Sequence, residues 1–470
     1  MNYMHPSIAA LSVLLMLMAG VASATQAGEP TQAPNIIIFL TDDQGYADAG
    51  VYGSNDLNTP NIDQLAQEGI KFTSFYAQPL CGPSRAALLT GRYPVRIEEP
   101  GETKSPNTTL AASEVTIAEI RQQVGYTTAL IGKWHLAGDG APWDYAPPPL
   151  PPGRPGGKGP FDTSLMPNAQ GFDYFFGTPM HNGYTQKVDP ARFIVDLMRN
   201  HSVIETQTDV NQLTTRYTQE ALTFIRSNAS DPFFLLLSHN MPHVSLGVSS
   251  KFAGKSRRGL YGDVIMELDW SLGQILEALE KLDIDRRTLV IFLSDNGPPI
   301  GQLTDRNGAS AEPLRGGKYS NWEGGVRVPA IVRWTHTIPA QQEDHEIASV
   351  MDLLPTIAAA SGAPLPEELS VDGYNLMPRL KGKATSNDRA YFYYSLTTLQ
   401  AVRKGRWKLV LPRQKNAPEL LWLGRYTEDV ADYQLYDLKK DVAETQNVAS
   451  LNPDIVAALL QEIERQAPLR

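Results

Sequence analysis

The sequence predicts an α/β protein: a mixed, largely parallel sheet sandwiched by helices, followed by a smaller α+β domain. Three observations carry this. Short apolar runs, each followed at once by polar residues, read as strands buried on both faces. Amphipathic helical stretches stand between those runs, the alternation that builds parallel sheets. Beyond about Leu365 the texture changes to short strands and a last helix.

Taken in order, the chain begins with a stretch that reads as a signal peptide over residues 1–24. Ile8 to Val21 is mostly apolar, and Ala22-Ser23-Ala24 has the small-x-small form of a cleavage site. No later segment has about 18 uninterrupted apolar residues, so the mature chain is expected to be free of the membrane. Strands are predicted at Ile36 to Leu40, Ala129 to Ile131, Phe233 to Leu237 and Leu289 to Leu293. Helices are predicted at Thr59 to Gly69 and at Asp263 to Leu282, where apolar residues recur at helical spacing. Ala146 to Pro160, dense in Pro and Gly, reads as a long surface loop. A larger α/β part is expected over 31–365 and a C-terminal α+β part over 366–470. Strands in the latter are expected at Tyr391 to Ser395, Trp407 to Leu411 and Gln434 to Leu438, with a helix at Ile455 to Ile463.

The formal net charge of -10 argues against non-specific nucleic-acid binding. An exported chain is free to form disulfides, yet this one has a single cysteine, Cys81. One reading is a buried small hydrophobe; the other is chemistry, and the neighbours decide between them.

In an open α/β sheet, ligands bind beyond the carboxyl ends of the strands. Four predicted strands run into polar residues there: Thr41-Asp42-Asp43, Lys133-Trp134-His135, Ser238 to His243, and Ser294-Asp295-Asn296-Gly297. Asp42, Asp43, Asp295 and Asn296 form an all-oxygen set that suits Ca2+ or Mg2+ rather than zinc. Cys81-Gly82-Pro83-Ser84-Arg85 opens a short apolar stretch that Gly91 ends, which places Cys81 at the positive end of a helix. Arg85 and Lys133 add positive charge, and a thiolate nucleophile is one possible reading.

These residues resemble a known family. Cys81-Gly82-Pro83-Ser84-Arg85 followed by Leu89-Thr90-Gly91-Arg92 looks like the sulfatase signature. The resemblance runs from Pro34-Asn35-Ile36 through Gly132-Lys133-Trp134-His135, Ser294-Asp295-Asn296-Gly297, Gly317-Lys318 and Glu323-Gly324-Gly325-Val326-Arg327 to Leu435-Tyr436-Asp437-Leu438. Its order and spacing are similar to the arylsulfatase A and N-acetylgalactosamine-6-sulfatase branch, which implies an alkaline-phosphatase-like fold with an antiparallel sheet in the C-terminal part.

The resemblance implies a formylglycine-dependent (type I) hydrolase of sulfate esters. Cys81 matches the cysteine that a formylglycine-generating maturation enzyme oxidises to Cα-formylglycine, whose hydrate attacks sulfur. Asp42, Asp43, Asp295 and Asn296 match the metal ligands, with Ca2+ expected over Mg2+. Arg85, Lys133 and His135 match residues that hold the modified side chain. His243 and Lys318 match residues that bind sulfate and assist the leaving oxygen, with Asp295 as base for the nucleophile. His181 remains at a substrate-binding position where its neighbour, serine in arylsulfatase A, is Met180. The implied partners are a sulfated carbohydrate or small sulfate ester and the maturation enzyme, and the expected location is the bacterial periplasm or outside the cell. Two rivals stay open from the sequence: a phosphonate or phosphate ester hydrolase of the alkaline-phosphatase superfamily, and an inactive binding paralogue.

Other residues read more plainly. His239 is expected to be core or supporting, and Arg327 structural. Lys251, Lys255, Arg257 and Arg258 are expected on a solvated surface. Tyr319 and Trp322 fit either a sugar pocket or the core.

Overall fold

The computed structural model describes Met1 and residues 33–97, 110–137, 163–182, 196–206, 208–300, 308–383, 388–395, 397–414 and 428–467. The signal peptide and the Ala146 to Pro160 loop lie outside these residues.

The large sheet comprises β1 (Asn35–Thr41), β2 (Ile70–Tyr76), β3 (Thr127–Lys133), β4 (Tyr174–Thr178), β5 (Leu197–Arg199), β6 (Ser202–Glu205), β7 (Phe233–Ser238), β8 (Thr288–Ser294), β9 (Arg327–Arg333), β10 (Gln342–Asp344) and β11 (Ala348–Ser349). Its order is β10-β2-β9-β8-β1-β7-β3-β4-β5-β6, with β11 also on β2. The central run β8-β1-β7-β3-β4 is parallel. On its flanks, β9 runs antiparallel to β8 and β2, and β5 to β4.

Alternate residues of each central strand serve opposite cores, the period-2 rule of a doubly covered sheet. In β1, Ile36, Ile38 and Leu40 join one apolar cluster and Ile37 and Phe39 the other. The helices are α1 (Pro60–Gln67), α2 (Cys81–Thr90), α3 (Ile117–Gln122), α4 (Leu213–Ser227), α5 (Gly259–Lys281), α6 (Glu323–Val326), α7 (Leu353–Ala360), α8 (Met377–Leu380) and α9 (Pro453–Gln466). Residues of α2, α3 and α7 fill the first cluster; those of α1, α4 and α5 fill the second.

A second sheet of four antiparallel strands follows: β12 (Ala390–Ser395), β13 (Thr398–Lys404), β14 (Trp407–Val410) and β15 (Gln434–Asp437). Its apolar side, with Phe392, Val402 and Leu409, belongs to the same core as α2. Residues before and after position 365 therefore share one core.

All the strands and helices anticipated in the described residues form, each longer or shorter by a few residues. Thr398–Lys404, unforeseen, supplies the missing strand of the second sheet.

Candidate active site

The ends of β1, β3, β7 and β8 lie side by side, so their polar tails converge. Helix α2 begins at Cys81 after the extended residue Leu80, and Gly91 ends it in the left-handed region at φ 69°. Ser84 fixes the turn before it: its Oγ accepts from the Gln78 amide at 2.8 Å and donates to the Gln78 carbonyl at 3.2 Å. Cys81 is thereby held in a buried position with its Sγ 3.5 Å from His135 Nδ1.

Around Cys81 stand three buried ion pairs. Arg85 forks onto Asp295 Oδ2 through Nε at 3.0 Å and Nη2 at 2.8 Å. Its remaining Nη1 donates to the Lys133 carbonyl at 2.8 Å and to Ser238 Oγ at 2.6 Å, so one guanidinium ties β8, β3 and β7 together. Lys133 Nζ lies 2.6 Å from Asp42 Oδ2. Lys318 Nζ lies 2.8 Å from Asp43. Three cations thus balance three carboxylates.

The backbone is held in uncommon conformations here. Asp43, His135 and Tyr319 are non-glycine residues at φ 72°, 65° and 74°, a region such residues adopt only when the surroundings demand it. At Gly132, φ is 117° and an added Cβ would lie 1.8 Å from the Ser238 carbonyl oxygen; only glycine lets β3 run this close to β7 before Lys133.

His243 Nδ1 is bonded to the Val244 carbonyl, which directs Nε2 toward Asp43 Oδ2 at 3.8 Å. His181 lies between His135 and His243, its ring centroid 5.2 Å from each. Asn182 donates to the carbonyls of His243 at 3.0 Å and Ser245 at 2.7 Å, bracing the His243 loop.

Burial sets the protonation states. Desolvation, aided by Lys133 and Lys318, pushes His181 down to about 3 and carries His135 and His243 well below the usual imidazole range. Desolvation also raises the Cys81 thiol. It raises Asp295 as well, with Asp42 beside it and Arg85 opposing. Burial works against the Lys318 charge, but Asp43 overrides it and keeps the ammonium firmly protonated.

A hard cation fits the carboxyl side of this cluster. Among the described residues, Asp42 Oδ1 and Asn296 Oδ1 are buried oxygens without a hydrogen-bond partner. Asn296 Nδ2 donates to Asp43 Oδ1 at 2.7 Å, the Asp43 amide donates to Asp295 Oδ1 at 3.1 Å, and a carboxylate oxygen of Asp42 lies within 4.8 Å of one of Asp295, so the four residues form one group. Orphaned buried acceptors are costly unless something positive meets them. Four oxygen-bearing side chains are a calcium-type donor set.

The sulfatase family model matches residues 34–363. The chain belongs to the sulfatase family. A second model, described as N-sulphoglucosamine sulphohydrolase, C-terminal, matches residues 317–467 of this sulfatase. Steryl-sulfatase of Homo sapiens is 37% identical over 430 residues, covering 79% of this chain and 73% of that protein. N-acetylgalactosamine-6-sulfatase of Rattus norvegicus is 38% identical over 416 residues, covering 84% and 74%. A crystal structure of Ps i-CgsB in complex with k-i-k-neocarrahexaose superposes with a TM-score of 0.74 at 30% identity, covering 92% of each chain. The protein is thus a sulfuric ester hydrolase with the sulfatase fold, and the resemblance read from the Cys81 signature is met along the chain.

The structure brings Cys81, Arg85, Lys133, His135, His181, His243, Lys318, Asp42, Asp43, Asp295 and Asn296 to one place. It removes Trp322 from the sugar-pocket alternative: the indole is buried, with Arg315 over it at 3.6 Å and Tyr436 at its edge. Arg258 is also no solvated charge, since it pairs with Asp48 at 2.6 Å and Asp56 at 2.7 Å. His239 is core against Phe39, and Arg327 is structural, bonded to the Thr73 carbonyl and Glu323. Asn182 escaped the sequence reading as a site residue, and Ser238 entered it only as the first residue of the polar run Ser238 to His243, without a role. The sequence hint of Asn182 is its place directly after His181.

Proposed function

We propose that this sulfatase hydrolyses a sulfate ester of a carbohydrate, outside the cytoplasm, with Cys81 in its formylglycine form. The observation that carries the residue assignment is Cys81 Sγ at the buried start of α2, beside His135 and inside the three balanced ion pairs. Converted to Cα-formylglycine by a maturation enzyme, position 81 supplies an aldehyde hydrate oxygen as nucleophile. Asp42, Asp43, Asp295 and Asn296 would hold the divalent cation, calcium before magnesium, which supplies Lewis-acid charge.

The chain's own side chains do the rest. Without the ion the cluster sums to zero, so a bound divalent cation leaves it net positive, matched to a sulfate monoester anion. Arg85, pinned by Asp295 and Ser238, orients the α2 start and the Lys133 carbonyl. Lys133 and Lys318 face charge that grows on the sulfuryl oxygens, in a site where burial strengthens each interaction. His135 holds the side chain at position 81. Both Asp295 oxygens already accept hydrogen bonds, so as base it works with its carboxylate oriented in advance. His243 Nε2 and Lys318 Nζ converge on Asp43 and bracket the place of the leaving oxygen; Lys318 is protonated before substrate binds, and His243, neutral until then, takes up a proton as the sulfate anion arrives, so that either can pass one to the leaving oxygen. His181 lines the same wall and contacts substrate.

A carbohydrate is favoured over an aryl group for two reasons. The N-acetylgalactosamine-6-sulfatase relative and the carrahexaose-bound neighbour are sugar-directed by name. A sugar alkoxide is also a poor leaving group that needs a placed acid, and this site provides one. The steryl-sulfatase relative names the competing substrate. A panel of sulfated mono- and disaccharides, a steryl sulfate and an aryl sulfate separates these. The highest kcat/KM is expected on a sugar sulfate, and a marked preference for the steryl or aryl ester would overturn the substrate assignment.

A further inference from the structure

Asp42, Cys81 and Asp295 each present a ligand atom, all three residues are buried, and these atoms lie within 4.8 Å of one another. Two of the three belong to the oxygen set assigned above to calcium. The third is sulfur, which calcium does not seek. Before conversion, therefore, the chain carries a mixed thiol and carboxylate cluster. After conversion the sulfur is gone and only oxygen remains.

That difference selects between metals. Thiolate ligands favour zinc and other thiophilic ions, whereas carboxylate and amide oxygens favour calcium and magnesium. The carboxylates are prepared for such an ion. Lys133 holds Asp42 by Oδ2 and leaves the buried Oδ1 without a partner. Arg85 holds Asp295 by Oδ2. Ligands fixed in this way by neighbouring donors are the usual support of a metal site. On the other side of the reaction, the thiol proton has an outlet: His135 Nδ1 lies 3.5 Å from Sγ.

We infer that the unconverted chain binds a thiophilic divalent cation, zinc above all, through Cys81 Sγ, Asp42 and Asp295. A metal–sulfur bond forms and the thiol proton leaves by way of His135 to solvent; nothing is oxidised or reduced. Zinc and calcium share Asp42 and Asp295, so each excludes the other. Conversion of Cys81 then acts as a switch of metal preference as well as the source of the nucleophile. This rests on the assigned metal side chains but not on sulfatase turnover, and no sulfate release enters its test.

The test uses the full chain made without the maturation enzyme, shown by intact mass to hold an unmodified Cys81, and stripped of metal. Co2+ titration should produce a near-ultraviolet thiolate-to-cobalt absorption, which reads the sulfur bond without any variant. Zinc affinity, measured against a chromophoric chelator, should fall in Cys81→Ser by more than the roughly 10–100-fold that outer-shell changes cost. Calcium affinity should stay within a few-fold, and added calcium should displace zinc competitively. Absence of the cobalt–sulfur band, or equal zinc affinity in wild type and a folded Cys81→Ser, would overturn the inference.

Discussion

Lys408 Nζ lies 3.0 Å from Glu323 Oε1, and both side chains are shut off from water. The pair joins β14 of the second sheet to the segment that follows the Lys318 loop. Lys408 also reaches Glu444 at 2.8 Å and the Asn321 carbonyl at 2.8 Å, and Glu323 accepts from Tyr76 and Tyr393. Lys318 itself is anchored by its amide to the Pro298 carbonyl, close after Asn296. The C-terminal sheet thus braces the loop that carries Lys318.

Removing Lys408 takes the paired cation from buried Glu444 and leaves Glu323 with Arg327 and Arg403 alone. Lys408→Met should cost about 3–5 kcal/mol of unfolding free energy, the range for breaking a buried pair. Denaturant unfolding measures it. A loss below about 1 kcal/mol would show that the pair is not the brace described.

The buried imidazoles make stability depend on pH. Desolvation depresses His239 to about 3, and an unfolded histidine titrates near 6.5. Below about 6.5 the unfolded chain binds a proton that the folded chain refuses, so this stabilisation is present above that pH and is lost as pH falls toward 3. His239→Gln should flatten the slope of unfolding free energy between about pH 6 and 4 by up to about 1.4 kcal/mol per pH unit. Denaturation at a series of pH values checks it; an unchanged slope contradicts it.

Much of this was legible in the sequence, for a physical reason. The four strands that meet at the site have apolar centres because both faces are buried, and their polar tails converge at one edge of the sheet. Edge strands such as Ser202–Glu205, half exposed and mixed in composition, carry no comparable signal. The Lys408 brace was hidden because its partners lie far away in sequence. A lysine wholly buried within Trp407–Val410 is its only trace. Trp322 beside Lys318 suggested a sugar wall, but chain proximity does not set the direction of a side chain; the indole turns into the core instead.

The metal assignment predicts loss of activity on chelation and recovery with calcium. Asp42→Ala and Asp295→Ala should each lower kcat by several orders of magnitude and abolish calcium binding, measured by calorimetry. Full activity in protein shown by elemental analysis to hold no divalent metal would remove the assignment.

His243 is expected to matter in proportion to the leaving group. His243→Ala should lower kcat/KM on a sugar sulfate by about 100-fold or more, the span of general acid catalysis, and far less on nitrophenyl sulfate. Equal losses on the two substrates would take His243 out of the acid role.

The central claim is sulfate ester hydrolysis at position 81. Its most direct test is inorganic sulfate release by preparations whose converted fraction at position 81 is known from peptide mass spectrometry. Turnover should rise in proportion to that fraction and vanish in a Cys81→Ala protein that melts cooperatively; near-wild-type sulfate release by the folded Cys81→Ala protein would contradict the account.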